Sequence, residues 1–293
     1  MKKYIKKSLK RIITSEIIKK IFNKFIYRDI LFHGSIENNT FFDFSNINKK
    51  ILDELFTKTS LYWREACSQK DEMYYSVLTN DKYKKILSEN EIKNFLLSGN
   101  SFILDALNYV KRFSKSNKKI NSVLDFGCGV GRLSYNLPIS IKEIWCCDFS
   151  KSHLKEAKKN LSKKFKNNNL NFKYLSGIHS IKDLPKQDLI YSFITLQHNT
   201  PPVMDYMINQ LLQLLNNDGI AVLHIPLVIV NYQFNHSEYL KSKKSGKSIE
   251  MHLLPRSNLY KSALDNNCEL VFSECKGGCG GKTYSEYVIF RKN

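Results

Sequence analysis

The stretch VLDFGCGVGRLS, Val123 to Ser134, sets an acid, Asp125, near the end of a short apolar run and follows it with glycines at alternate positions, Gly127, Gly129 and Gly131. Glycines spaced this way let a backbone pass close beneath a ligand without Cβ atoms in between, and they tolerate φ > 0. The chemistry such a turn serves, between a strand and a helix, is the holding of a nucleotide-like group. A dinucleotide-binding turn, G-x-G-x-x-G, requires its third glycine at position 132, which here is Arg132. The observed D-x-G-x-G-x-G spacing suits a ligand without a pyrophosphate, an adenosine carrying an amino-acid tail. About twenty residues on, Asp148 in WCCDFS ends the next apolar run, where a carboxylate can accept both hydroxyls of a ribose.

Two histidines could act as a general base, since an imidazole with a pKa of about 6.5 is suited to that task. His198, in LQHNTPP, lies just past the fourth apolar run, on the side where acceptors enter an open α/β sheet. Its competing role is structural, capping the helix that begins after NTPP or bonding a backbone carbonyl. His252, in EMHLLP, follows a long polar loop that could fold over the same rim. His224 falls inside the fifth strand and reads as a core histidine. Cys275 and Cys279, in CKGGCGG, are spaced wider than a C-x2-C metal pair and lack a second ligand pair, so no metal is expected. Cys67, Cys128, Cys146, Cys147 and Cys268 are scattered, and the odd total argues for reduced thiols rather than a disulfide framework.

The elements that must position these residues follow from the hydrophobic pattern. NSVLDF, IKEIWCCD, NLNFKYL, DLIYSFI and GIAVLHI read as five strands, with room for helices between the first four and after the fourth. A helix from about Arg256 to Asn267 and two more strands, CELVFSEC and SEYVIFRK, complete the chain. This alternation predicts an α/β, Rossmann-like, doubly wound sheet of seven strands, mostly parallel with an antiparallel last strand. Before it, from Phe41 to Phe113, the pattern is helical throughout, ending in the polar linker FSKSNKK. The expected organisation is therefore basic amphipathic helices over 1–30, a helical cap over 31–115 and the sheet domain over 116–293. The polar insertion Asn231 to Ser248 reads as an acceptor-binding lid or a disordered segment. With the helical cap it would roof the site, and Trp63, Tyr74, Tyr75 and Phe95 there could stack on a sugar ring or form a core.

The 293 residues carry a net charge of +19, but lysine supplies 39 of the 46 basic residues. Such an excess can come from AT-rich codon usage, so its distribution says more than its total. Ten basic residues and a single acid, Glu16, fall in residues 1–28, with apolar positions on helical faces. That pattern fits helices lying on an anionic membrane surface, or helices packing on the domain behind them. The chain has no apolar run of the roughly 18 to 20 residues that a span needs and no signal-type leader, so a cytoplasmic protein is expected, with contact at the inner membrane face through residues 1–28.

From about Ile120 onward, the chain resembles the class I S-adenosylmethionine-dependent methyltransferases. The resemblance rests on VLDFGCGVGRLS, on Asp148 in CCDFSKSHLKEA and on the fourth-strand region QDLIYSFITLQHNTPP. A narrower resemblance, carried by YWREACSQKDEMYYSVLTNDKY, LQHNTPP and MHLLPRSNLYKSAL, is to bacterial members found among genes for glycan and surface-polymer biosynthesis. The resemblance implies S-adenosyl-L-methionine as cofactor, held by the glycine loop through Gly127, Gly129 and Gly131. It places Asp125 and Gly127 near the methionine tail, Asp148 on the ribose and Phe149 beside the adenine. Thr195, Leu196 and Gln197 would face cofactor and acceptor. It implies transfer of a methyl group to a hydroxyl, ahead of an amine, on a saccharide, a lipid-linked or surface-glycan intermediate, or another small molecule. A nucleic-acid acceptor is disfavoured: in NTPPV, Val203 stands where the stacking ring of the [DNSQ]-P-P-[YFW] tetrad would be. A catalytically silent scaffold of the same fold stays open as an alternative.

Overall fold

A strand buried on both faces needs apolar residues at nearly every position, and its alternate side chains enter different cores. Strand β1 (Ser122–Phe126) shows both effects. Leu124 and Phe126 enter one apolar cluster while Val123 enters another on the opposite face, so the sheet is covered on both sides. The computed structural model describes residues 44, 46–65, 71–116, 119–166, 169–229, 231–275 and 283–293. Residues 1–30, over which basic amphipathic helices are expected from sequence, lie outside the described residues, as do Cys67 and Cys279.

Among the described residues three helices precede β1: α1 (Lys49–Glu65), α2 (Glu89–Leu97) and α3 (Asn100–Phe113). After it come β2 (Glu143–Asp148), α4 (Lys151–Ser162), β3 (Asn169–Tyr174), β4 (Gln187–Ser192) and α5 (Pro201–Gln213). The chain continues through β5 (Leu215–Ile229), α6 (His236–Lys241), α7 (Arg256–Asp265), β6 (Cys268–Cys275) and β7 (Thr283–Lys292). The sheet order is β3-β2-β1-β4-β5-β7-β6, with β7 antiparallel to both neighbours and the first five strands parallel. This is the seven-stranded, mostly parallel Rossmann-like sheet expected, with an antiparallel last strand. The order reverses between β1 and β4, and a ligand crevice forms at the carboxyl ends of such strands.

The segment before the sheet departs from the helical pattern expected across it. Residues 71–78 form turns and a bend, and Asp81–Tyr83 a single short 3-10 turn. Residues that cap helices explain the break: the Asn80 side chain accepts from Lys82 N, and Ser88 forms a capping box with Glu91 that starts α2 afresh. The turn segment and α2 make a small core of their own, Tyr74, Tyr83, Leu87, Phe95 and Leu96, seated on Val130 of the glycine loop. Tyr74 and Phe95 thus serve as core, their rings edge to face at 5.1 Å. The linker is tied to the sheet through Asp218, whose carboxylate accepts Ser114 Oγ (2.7 Å), Lys115 N–H (2.9 Å) and Ser116 N–H (3.0 Å). Those bonds hold the Asp218 carboxyl below the usual carboxylate range.

Candidate active site

At the carboxyl ends of β1, β2 and β4 lies a cavity, at the place where an open α/β sheet receives its ligand. The glycine loop gives it Gly127, Cys128 and Gly129, and the end of β2 gives Asp148 and Phe149. The end of β4 adds Ile194, Thr195 and His198, while Trp63 of α1 and Val77 of the turn segment form the roof.

All three glycines have positive φ, +77° at Gly127, +52° at Gly129 and +85° at Gly131, which side-chain-bearing residues seldom adopt. Space is short as well. A Cβ at Gly127 would come within 2.1 Å of the Thr195 side chain, and one at Gly129 within 2.9 Å of Val77. At Gly131 it would meet Leu161 of α4 at 3.0 Å. Gly131 therefore permits close helix packing, the role given to the third glycine of a dinucleotide loop, and lies away from the cavity. The Asp148 carboxylate braces the loop by accepting Gly129 N–H on one oxygen and Ser150 N–H on the other, both at 2.8 Å. Each oxygen keeps a lone pair for a ribose hydroxyl.

Asp125 is turned away from the cavity. It lies on the face of β1 that carries Val123, opposite Cys146 and Tyr191 in register, and the period of two sends its side chain into the core beneath the loop. There its carboxyl accepts Ser134 Oγ at 2.7 Å, and burial pushes its pKa up to about 7. The folded chain thus holds this proton between about pH 4 and 7, where an unfolded aspartate has released it, so the associated stability is lost as pH rises through that window. Replacing Asp125 by Asn is expected to flatten this dependence. Thermal melts should show the variant gaining on the parent steadily from pH 4 to pH 8, and a gap independent of pH would contradict the assignment.

Arg132, read from sequence as a missing glycine, is a cavity-lining residue, 4% exposed. Its guanidinium stacks on Phe102 at 5.3 Å, its Nε has no hydrogen-bond partner among the described residues, and burial lowers its pKa. A buried, unpaired arginine donor beside a cavity fits an anionic group of the ligand. The spacing to a helix or a base gave no hint of this; the signal was the charge itself, placed inside a buried loop. His153, also unassigned from sequence, bonds Ser76 Oγ at 2.9 Å and lies 3.9 Å from Asp148, linking the turn segment to the ribose acid.

Thr195 lines the cavity and its hydroxyl donates to the Gly127 carbonyl at 3.3 Å, whereas Leu196 is core and the Gln197 side chain is buried outside the lining. His198 lines it too, its ring 4.9 Å from that of Trp63. It does not cap α5. Its Nδ1 lies 2.8 Å from the Glu250 carbonyl, which can only accept, so Nδ1 carries the proton and Nε2 is the basic nitrogen. Burial pushes its pKa down to about 4, opposed by the Glu250 and Ile194 carbonyls and assisted by His252. Ile194, whose carbonyl faces this ring, has φ +56°, an outlier for a β-branched residue.

His252 is placed differently from expectation. It faces a second hollow, beneath the insertion, together with Phe234, Tyr239 and Glu250, and touches the His198 turn through its backbone N–H to the Gln197 carbonyl at 2.8 Å. The structure does not bring it to the cavity because its ring is enclosed by Tyr232, Phe234 and Tyr239. His224 bonds Ser285 Oγ at 2.8 Å within the sheet.

Residues 123–219 match a family model described as a methyltransferase domain. Over this segment the chain is similar to that family. The fold agrees. A magnesium protoporphyrin IX methyltransferase from Synechocystis PCC 6803, with bound SAH, superposes with a TM-score of 0.53 at 14% identity, over 80% of this chain and 100% of that one. A SAM-dependent methyltransferase from Leishmania major gives 0.52 at 14% identity, over 84% and 88%. No curated protein sequence matches the chain. The matched domain contains the glycine loop, Asp148 and His198, whereas Trp63, Glu250 and His252 lie outside it.

Proposed function

We propose that the chain is an S-adenosylmethionine-dependent methyltransferase acting on a hydroxyl of a saccharide or of a lipid-linked or surface-glycan intermediate. The observation that carries this reading is His198, a neutral imidazole with a defined basic nitrogen at the rim of the cavity, beside an aromatic wall. A hydroxyl acceptor needs a base to take its proton, whereas an amine can react without one. Bound S-adenosylmethionine supplies a methyl group already activated on sulfonium sulfur. The residues present fit it: the loop of Gly127 and Gly129 would carry the amino-acid end, the unpaired Arg132 donor its carboxylate, and Asp148 its ribose, with Phe149 against the adenine. At the other end, Trp63 offers a ring face to a sugar and sets it against His198. His198 Nε2 would accept the proton of the acceptor hydroxyl, leaving its oxygen to take the methyl group that bound S-adenosylmethionine would supply. Holding both reactants in line, with water excluded by the roof, supplies most of the remaining acceleration.

Among the described residues no helix is long and apolar enough to cross a membrane. The ten basic residues within 1–28 support a location at the inner membrane face, where lipid-linked acceptors are presented. The acceptor is tested by incubating the protein with methyl-labelled S-adenosylmethionine and a cell extract separated into saccharide, lipid-linked, protein and nucleic-acid fractions. Label is expected in the saccharide or lipid-linked fraction. Label in nucleic acid or protein would overturn the acceptor class, and cofactor binding without transfer to any fraction would favour the scaffold role.

A further inference from the structure

We propose that Glu250 is a positioning residue: its carboxylate pins the insertion against α1, and its own carbonyl, so held, fixes His198 in the tautomer with Nδ1 protonated. The inference rests on the reading of His198 as the base. Glu250 acts through two sets of atoms. On the side chain, Oε1 accepts Gly246 N–H at 2.8 Å, and Oε2 accepts the Tyr239 hydroxyl at 2.7 Å and His252 Nε2 at 3.3 Å. On the backbone, its carbonyl accepts His198 Nδ1–H.

The insertion that ends just before Glu250 is tightly seated. Lys58 of α1 donates to the carbonyls of Leu240 and Ser242 at 2.7 and 2.6 Å, and Thr59 Oγ1 lies 3.3 Å from the Tyr239 hydroxyl. Gly246 has φ +77°, and a Cβ there would lie 2.2 Å from the Lys58 carbonyl oxygen, so this turn lies directly on the helix. Next to Glu250, the bond from His252 N–H to Gln197 ties the same segment to the turn that bears His198. Glu250 joins the insertion to the base, and through Tyr239 and Gly246 it is linked to the part of the insertion that lies on α1.

The tautomer matters because the nitrogen bonded to a carbonyl must carry the proton, and the other is then free to accept one. An imidazole released from that carbonyl and exposed to water favours the proton on Nε2, which would make the reactive nitrogen a donor. The groups facing His198 are the Trp63 ring from α1, the Gln197 amide and Ile194 carbonyl from its own turn, the Glu250 carbonyl, and the His252 and His224 imidazoles. No carboxylate is bonded to its ring among the described residues; the Glu250 carbonyl, 2.8 Å from Nδ1, is the acceptor that keeps that nitrogen protonated, while the Gln197 amide lies 3.5 Å from Nε2.

The test is a long-range proton–nitrogen NMR correlation on the 15N-labelled full chain, with the His198 signals assigned from their loss in His198→Gln. The parent should show protonated Nδ1 and no titration of this ring between pH 5.5 and 8. In Glu250→Ala the ring should move to the Nε2-protonated form with a midpoint near 6.5, and kcat should fall while the KM for S-adenosylmethionine holds. Glu250→Gln, which keeps an oxygen acceptor, should restore most of the parent pattern. Tyr239→Phe, a milder change, should shift the ring part of the way and covers the case in which the alanine variant does not fold. An Nε2-protonated ring in the parent, or an unchanged ring in folded Glu250→Ala and in Tyr239→Phe, would overturn the proposal. The spectra need no acceptor, so a failure here is distinct from a failure to transfer methyl groups.

Discussion

His198→Ala is expected to lower turnover by about 10²- to 10⁴-fold, the range that positioned proton transfer contributes, with S-adenosylmethionine affinity unchanged. The imidazole stands at the rim, against Trp63, and among the described residues no hydrogen bond ties it to the glycine loop or to Asp148, so its loss removes the proton acceptor while leaving the bonds of the donor site in place. The pH profile gives an independent check. With its pKa pushed down to about 4, His198 is a free base at every pH above that value, and activity should fall only as pH drops toward 4. An exposed histidine base would instead produce an acid limb near 6.5. Steady-state rates from pH 4 to 8, alongside calorimetric binding of S-adenosylmethionine, measure both effects. Near-normal turnover in the alanine variant would remove the base from the mechanism.

Asp148→Ala is expected to weaken S-adenosylmethionine binding by about 10²-fold or more. A hydrogen bond to a charged group is worth about 1.5–3 kcal/mol, and each 1.4 kcal/mol is tenfold in affinity. Asp148 is offered two such bonds by a ribose, and it also holds the Gly129 and Ser150 amides at 2.8 Å, so its removal loosens the loop as well as the ligand. Asp148→Asn retains one acceptor oxygen and should fall between alanine and the parent. Titration calorimetry gives the affinities, and thermal melts without ligand separate the loosening of the loop from the loss of ribose contacts. Parent-like affinity in the asparagine and alanine variants would place the ribose elsewhere.

Most of the sheet was legible from the chain because its strands are buried on both faces and therefore appear as uninterrupted apolar runs ended by polar turns. The glycine loop and Asp148 were legible for the same reason: each sits at the end of such a run. Asp125 shows where this reading stops short. Its closeness to the glycines suggested a ligand contact, yet the alternation from Val123 puts it on the opposite side of β1 from Leu124 and Phe126, in the core with Ser134 and Tyr191. Gly131 likewise answers to Leu161, thirty residues later, which local spacing does not reveal. The surroundings of His252 and Glu250 include Tyr239 and Leu240, whose contacts with α1 reach across 180 and 182 positions and follow from how the insertion folds back rather than from any periodic pattern.

The left-handed conformation of Ile194 bears on how this enzyme divides stability from activity. Such a conformation costs a side-chain-bearing residue about 1–2 kcal/mol, and Ile194 adopts it where the chain passes from the end of β4 into the turn that bears His198. Glycine at 194 would relieve the strain and, in the same step, let the turn that presents His198 wander. The chain carries that penalty inside its folded state at all times, and in return the base stands ready before any acceptor arrives.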